Sequence, residues 1–238
     1  METFFDAFLN FDLSVFEWVQ SIQTPILTTI MEIVTTLGDE GIIFILMGII
    51  FLFIKKYRKV GFTILAALVV MLVCNNLVFK EMCERIRPFY IFNPDAVPKD
   101  HIYFEEVFAK ATQSLERLPE LAEKWKATYV YPDFVHAPSS WSFPSGHTSS
   151  AFTAAFAVLF YNRKIGIPMT FFAALMGFTR IYVQVHYCSD VIAAALFSII
   201  YAAIAVLVIK LLYPKVEPII DKVFAELAKK KSLIIVNK

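Results

Sequence analysis

VGFTILAALVVMLVCNNLVF, Val60–Phe79, runs for twenty residues without Asp, Glu, Lys or Arg, and KEMCERIRP, Lys80–Pro88, follows directly. A helix needs about 20 mostly apolar residues to cross the hydrocarbon of a bilayer. The first stretch therefore reads as a span and the second as its polar edge. The pattern recurs at Phe143–Asn162 and Val191–Ile209, which also lack those four residue types. Gly41–Ile54 and Ile165–Thr179 are shorter apolar runs that reach a workable length with their flanks, and Glu17–Leu37 is a further candidate that carries Glu32. The expected fold is all-α, a bundle of six transmembrane spans forming one membrane domain over residues 1–238. A long outer loop would occupy about residues 89–143, with amphipathic flanks at 1–16 and 214–238. Composition agrees: 58% of the 238 residues are hydrophobic and the mean hydropathy is +0.63, well above an ordinary soluble domain. A net charge of +1 gives no case for a nucleic-acid partner.

The positions of the charges matter more than their sum. Lys55, Lys56, Arg58 and Lys59 fill one tight connection, and Arg163 and Lys164 fill another. Lys210, Lys215, Lys222 and Lys229–Lys231 follow the last apolar run. An excess of Lys and Arg in short loops marks the cytoplasmic side, and six spans put all three clusters there, together with both termini. Lys80, Ser145–His147 and His186 then fall on the outer side. Met1–Gln20 lacks the basic start and apolar core of a cleavable signal peptide. Phe4, Phe5, Phe8, Leu9 and Phe11 suggest a short helix at the membrane interface, and Val216–Leu227 is similarly amphipathic; both read as anchoring flanks. Three cysteines are too few for a disulfide framework. Cys83 and Cys188 would both lie near the outer face, but free thiols are expected.

Between Pro88 and Phe143 lies the one long polar segment. Phe104, Phe108, Ala111, Leu115, Leu118, Ala122 and Trp125 recur at three- and four-residue steps, the mark of a one-faced helix that Pro119 would break or restart. It reads either as a lid that selects substrate or as a packed connector. His101 and His136 lie in this loop, and His136 is a weak candidate for substrate contact. Asp39 and Glu40, in the turn between the first two spans, read as turn residues. Glu32 stays without a role.

Three segments carry the chemistry. Lys80 and Arg87 are seven residues apart, two helical turns, so on one helix both cations would point the same way, with Pro88 ending that helix. Pro144-Ser145-Gly146-His147 reads as a helix start: Ser145 can cap, Gly146 permits close approach of a ligand to backbone, and the free N–H groups of a helix start bind anions. His186 and Asp190 are four apart, so their side chains meet on a helix. A carboxylate on one ring nitrogen fixes the tautomer and leaves the other free to attack. Arg180 adds a third cation. Each segment alone has a bland reading, as a snorkelling pair, a helix cap or an interfacial His–Asp pair. Ionisable groups at a membrane edge are nonetheless costly and mark function, and three cations, two histidines and a carboxylate suit the gripping of a phosphate and attack on its phosphorus.

KEMCERIRP (Lys80–Pro88), PSGH (Pro144–His147) and TRIYVQVHYCSD (Thr179–Asp190) resemble the three-part signature of the type 2 phosphatidic acid phosphatases. These are integral membrane enzymes related to the bacterial non-specific acid phosphatases and the vanadium-dependent haloperoxidases. All spacings fit, and the one departure is Thr179 where the family has Ser. The resemblance implies that His186 is the nucleophile and forms a phosphohistidine, that Asp190 orients it, and that His147 protonates the leaving group and then activates water. Lys80, Arg87 and Arg180, with backbone N–H groups at Ser145 and Gly146, would hold the phosphoryl oxygens. It implies a lipid phosphate as substrate, such as phosphatidic acid, phosphatidylglycerol phosphate or undecaprenyl diphosphate. No metal or other cofactor is implied. The alternatives are a phosphotransferase that passes the phosphoryl group to an alcohol or lipid A, and a non-catalytic lipid-binding or transport protein. Internal repeats would mark a transporter, and none is evident.

Overall fold

The computed structural model describes residues 2–92 and 140–236. Every element among them is helical, and no strand occurs among the described residues. In chain order they are α1 (Glu2–Ile22), α2 (Pro25–Leu37), a 3-10 turn (Asp39–Gly41), α3 (Ile42–Phe53), a second 3-10 turn (Lys55–Tyr57) and α4 (Arg58–Leu72). α4 runs on as a π-helical segment (Val73–Phe79) into α5 (Lys80–Cys83). After these come α6 (Pro88–Phe92), α7 (Gly146–Leu159), α8 (Arg163–Tyr182) and α9 (Cys188–Val236). The starts of α2 and α8 follow local chemistry. Thr24 accepts the Leu27 N–H at 3.3 Å with Pro25 in the first turn, and Asn162 accepts from the Lys164 and Ile165 amides. Both are preferred capping arrangements.

Three helical stretches are long and apolar enough to cross a membrane: Lys55–Tyr90, Arg163–Tyr182 and Cys188–Glu226. A fourth is added if Pro25–Leu37 and Ile42–Phe53, bent by 49°, form one span. The chain is therefore a multi-pass membrane protein. α7 is shorter, at 14 residues, and sits inside the bundle. Its Ala151, Ala154, Ala155 and Ala157 are fully buried, and such small residues let neighbouring helices approach closely. They pack with Ile64, Ala67, Ala173 and Tyr201 into one apolar core. Leu77, Phe171, Leu196 and Leu207 face outward and are more than half exposed, the surface that acyl chains would cover.

The two ends of the bundle differ. At one end Lys55 and Arg58 pair with Asp221, and Lys59 lies over the rings of Tyr161 and Tyr213. The three basic clusters read from the sequence thus share an end. At the other end a second core joins Leu13, Phe16 and Val19 of α1 to Phe89, Tyr182 and Tyr187.

This second core changes the expected layout. Glu17–Leu37 is not one helix, because the chain breaks at Gln23 and Thr24 between α1 and α2. α1 is not an anchoring flank at the basic end. It crosses the opposite end, with Trp18 against Phe178, Phe16 against Tyr187 and Asp12 bonded to Ser189. Phe16 and Val19 are buried by that crossing, which is why the helix lies there. Pro88 opens α6 and does not end the preceding helix. Glu84, in the left-handed region at φ 44°, ends α5 four residues earlier. Residues 216 onward continue α9 through Pro214 and Pro218 and dock on the 53–58 connection through Phe224 and Asp221. The amphipathic helix expected between Phe104 and Trp125, with His101 and His136, lies outside the described residues.

Candidate active site

Lys80 and Arg87 meet without sharing a helix. Once α5 ends at Glu84, Arg85, Ile86 and Arg87 form a short non-helical link, all three buried. Lys80 donates to Ser140 Oγ at 3.0 Å, and Arg87 donates to the same oxygen at 3.1 Å and to the Ser140 carbonyl at 2.8 Å. Arg87 also donates to the Val185 carbonyl at 3.0 Å, and its guanidinium lies 3.0 Å from His186 Nε2.

His186 stands in the turn between α8 and α9, tied by its amide to the Arg180 carbonyl at 3.3 Å. Its Nδ1 is 3.5 Å from Asp190 Oδ2 and 3.4 Å from Ser142 Oγ. Asp190, in the first turn of α9, is fully buried and densely bonded. Ser142 donates to it at 2.5 Å, the Tyr187 amide at 3.1 Å and Arg85 at 2.5 Å. A buried carboxylate so surrounded is held in place. With Nδ1 facing Asp190, Nε2 is the nitrogen turned toward the cations. Burial, and after it the Arg87 guanidinium, hold the His186 imidazole well below the ordinary histidine range, which favours the neutral, nucleophilic ring.

Ser145 is the N-cap residue of α7, but its side chain does not cap. Its hydroxyl accepts from Thr148 Oγ1 at 2.9 Å, and its amide lies 3.5 Å from the Asp190 carbonyl. The first amides of α7 have no intrahelical acceptor, an arrangement of the kind that suits an anion. A Cβ at Gly146 would meet nothing within 4 Å, so the space beside this terminus is open. His147, in the same turn, lies 2.9 Å through Nε2 from Asp39 Oδ1. Arg180 donates to Thr35 Oγ1, and its charge acts on both histidines. Thr179 bonds the Met176 carbonyl at 2.7 Å within its own helix, so its hydroxyl serves α8.

The three sequence segments therefore converge on one site at the end of the bundle away from the basic clusters. Several partners are new. Arg85 joins Asp190 to Asp12 of α1 at 2.8 Å, and Asp12 also accepts from the Ser189 amide and hydroxyl at 2.8 and 2.6 Å. Arg85 is sandwiched between the rings of Tyr187 and Phe5, 3.8 and 4.4 Å from their centroids. Ser140, Ser142 and Thr35 complete the set. A signal for Asp12 existed: it shares a helical face with Phe16 and Val19, a lone carboxylate in an apolar stripe. Ser140 and Ser142 are ordinary serines in sequence and became visible only through their contacts. Cys74, Cys83 and Cys188 are free thiols.

A model of the PAP2 superfamily matches residues 56–213. Undecaprenyl-diphosphatase BcrC of Bacillus subtilis (strain 168) is 49% identical over 59 residues, 25% of this chain and 31% of that protein. An undecaprenyl-diphosphatase of Sulfolobus acidocaldarius is 25% identical over 186 residues, 78% of this chain and 72% of that one. The solved PAP2-type phosphatidylglycerolphosphate phosphatase of Bacillus subtilis superimposes with a TM-score of 0.56 at 21% identity, covering 88% of both chains. That likeness speaks for the shared fold.

Proposed function

Because the chain belongs to the PAP2 superfamily, we propose that it is a membrane lipid phosphatase that cleaves a phosphomonoester or diphosphate through a phosphohistidine on His186. The observation that carries this reading is the disposition of the His186 ring, with Nδ1 toward the anchored Asp190 and Nε2 at 3.0 Å from Arg87. A phosphate taken up by Lys80, Arg87, Arg180 and the first amides of α7 would bring its phosphorus to Nε2. The Nε2 lone pair forms the P–N bond as the P–O bond to the lipid breaks, and His147 gives its proton to the departing oxygen. In the second half His147 takes a proton from water, the hydroxide attacks phosphorus, and the P–N electrons return to His186. Positioning and charge supply most of such catalysis. Three cations around the two histidines disfavour a divalent metal in the same place. Chelator is therefore expected to leave activity intact and vanadate to inhibit it. Restoration of chelator-lost activity by a divalent ion would sink the metal-free reading.

The relatives act on undecaprenyl diphosphate, which makes a polyprenyl diphosphate the first substrate to try, followed by phosphatidic acid and phosphatidylglycerol phosphate. Acceptors other than water would make the same histidine a phosphotransferase. We place the site on the extracytoplasmic side, since the basic clusters gather at the opposite end. The placement of α1 favours five crossings in place of six: the three long apolar stretches (α4–α5, α8 and α9) with the shorter α3 and α7. An odd number puts the N-terminus on the site side and the C-terminus in the cytoplasm. The mechanism is tested by rapid quench into alkaline detergent with radiolabelled lipid phosphate. An alkali-stable, acid-labile phosphoenzyme is expected in the wild type and none in His186→Ala; equal labelling of the two would reject the assignment.

A further inference from the structure

We infer that Asp39 is a positioning residue of this site, holding the imidazole of His147 so that its other nitrogen delivers the proton to the leaving oxygen. The inference rests on the phosphatase reading above and adds a residue outside the family-matched segment 56–213. Asp39 Oδ1 lies 2.9 Å from His147 Nε2. A turn aspartate ordinarily bonds a nearby backbone amide. Among the described residues the Asp39 carboxylate makes no such bond, and Gly38 before it caps the turn without a side chain.

The backbone is built to bring this carboxylate in. A Cβ at Gly38 would stand 2.6 Å from Met176 Sδ and 3.1 Å from His147 Cδ2, so the glycine lets the turn approach the histidine closely without displacing the Met176 side chain. Gly41 leaves the turn at φ +69° and packs on Ser150, one turn beyond His147 in α7. α2 is fixed to the end of α8 by Thr28 to Tyr182 Oη at 2.9 Å, by Gln23 of the preceding link to the Tyr182 carbonyl at 3.2 Å, and by Thr35 to Arg180. Asp39 thus follows a helix tied to α8 at three points.

The chemistry follows the logic by which an acid orients a histidine. Nε2–H donates to Asp39, and Nδ1–H faces the departing oxygen. When the P–O bond breaks, its electron pair stays on oxygen and takes the Nδ1 proton. Neutral His147 keeps Nε2–H on Asp39, and its free Nδ1 next accepts a proton from water. The charged groups facing His147 are Asp39 from the turn, Arg180 from α8 and Arg87 from the link before α6. The carboxylate is the one group of the three that favours the imidazolium. Asp39 is 59% exposed, so solvent screens it and its influence is moderate.

General acid help matters for a poor leaving group and little for a good one. Asp39→Asn and Asp39→Glu are to be compared with wild type on a short-chain phosphatidic acid, whose leaving group is an alkoxide, and on 4-nitrophenyl phosphate. Asp39→Asn is expected to lose roughly 10- to 100-fold on the first compound and less than about threefold on the second, with the alkaline limb moved to lower pH. Asp39→Glu should recover much of the loss. An equal loss on both compounds, or no loss on either, overturns the inference. Titration of the ring nitrogens in histidine-labelled protein by NMR reads the pairing without turnover. The His147 midpoint should fall by about one pH unit in Asp39→Asn, and an unchanged midpoint overturns the pairing. A wild type inactive on every lipid phosphate would defeat the phosphatase reading and leave this titration to decide Asp39.

Discussion

At the scale of single residues the proposed site is a division of labour between groups that would touch a phosphate and groups that hold them. His186 is buried and faces Arg87, which keeps its ring neutral. A nucleophilic imidazole is active when unprotonated, so activity is lost only as pH falls through the depressed value. The acid limb of the wild-type profile is therefore expected well below pH 6.5, the ordinary histidine range; a limb at or above that value would contradict the arrangement. Ser142 bonds Asp190 at 2.5 Å and approaches His186 at 3.4 Å. Ser142→Ala should lower kcat by roughly tenfold through one lost hydrogen bond with little change in KM, and a pure KM effect would show that Ser142 serves binding. That Lys80, Arg87, His147, Arg180, His186 and Asp190 come together was legible in the sequence, because residues of these types at these spacings suit phosphoryl chemistry. Ser140 and Ser142 were not, since a serine has no periodicity or charge to give it away.

At the scale of elements, α1 does more than its aromatic composition announced. Phe8, Phe11 and Trp18 face outward, as suits an interfacial helix, and that much could be read from spacing. Its inner face carries Asp12, which closes the chain Asp12–Arg85–Asp190. Breaking a buried ion pair by removing one partner costs about 3–5 kcal/mol. Asp12→Ala should lower the melting temperature of the detergent-solubilised protein and, through Arg85 and Asp190, reduce kcat. Full stability with full activity would mean that α1 is only an anchor. The place of α1 was illegible because hydrophobic periodicity reports which face is buried, never against what. Pro88 went the same way. A proline after an apolar run reads as a helix end, whereas the chain had already left the helix at Glu84 and Pro88 took the favoured first position of the next one.

At the scale of the whole molecule, two apolar cores meet at the polar site, one inside the bundle and one beneath α1. Runs of apolar residues told the all-helical, membrane-spanning class in advance, and the basic clusters do share one end. The count of crossings was less legible, since α2 and α3 are bent by 49° and no composition rule separates a bent span from a helix lying across the end. Single-cysteine labelling in a background without native thiols distinguishes the topologies. A cysteine at Asn10 should react with an impermeant reagent on intact cells and one at Lys215 only after permeabilisation; the reverse at Asn10 would restore six crossings. The most direct test of the whole reading is release of inorganic phosphate from undecaprenyl diphosphate and phosphatidic acid by purified protein, wild type beside His186→Ala. Release by the wild type and a loss of at least about a thousandfold in the variant are expected; equal rates in the two proteins would contradict the reading.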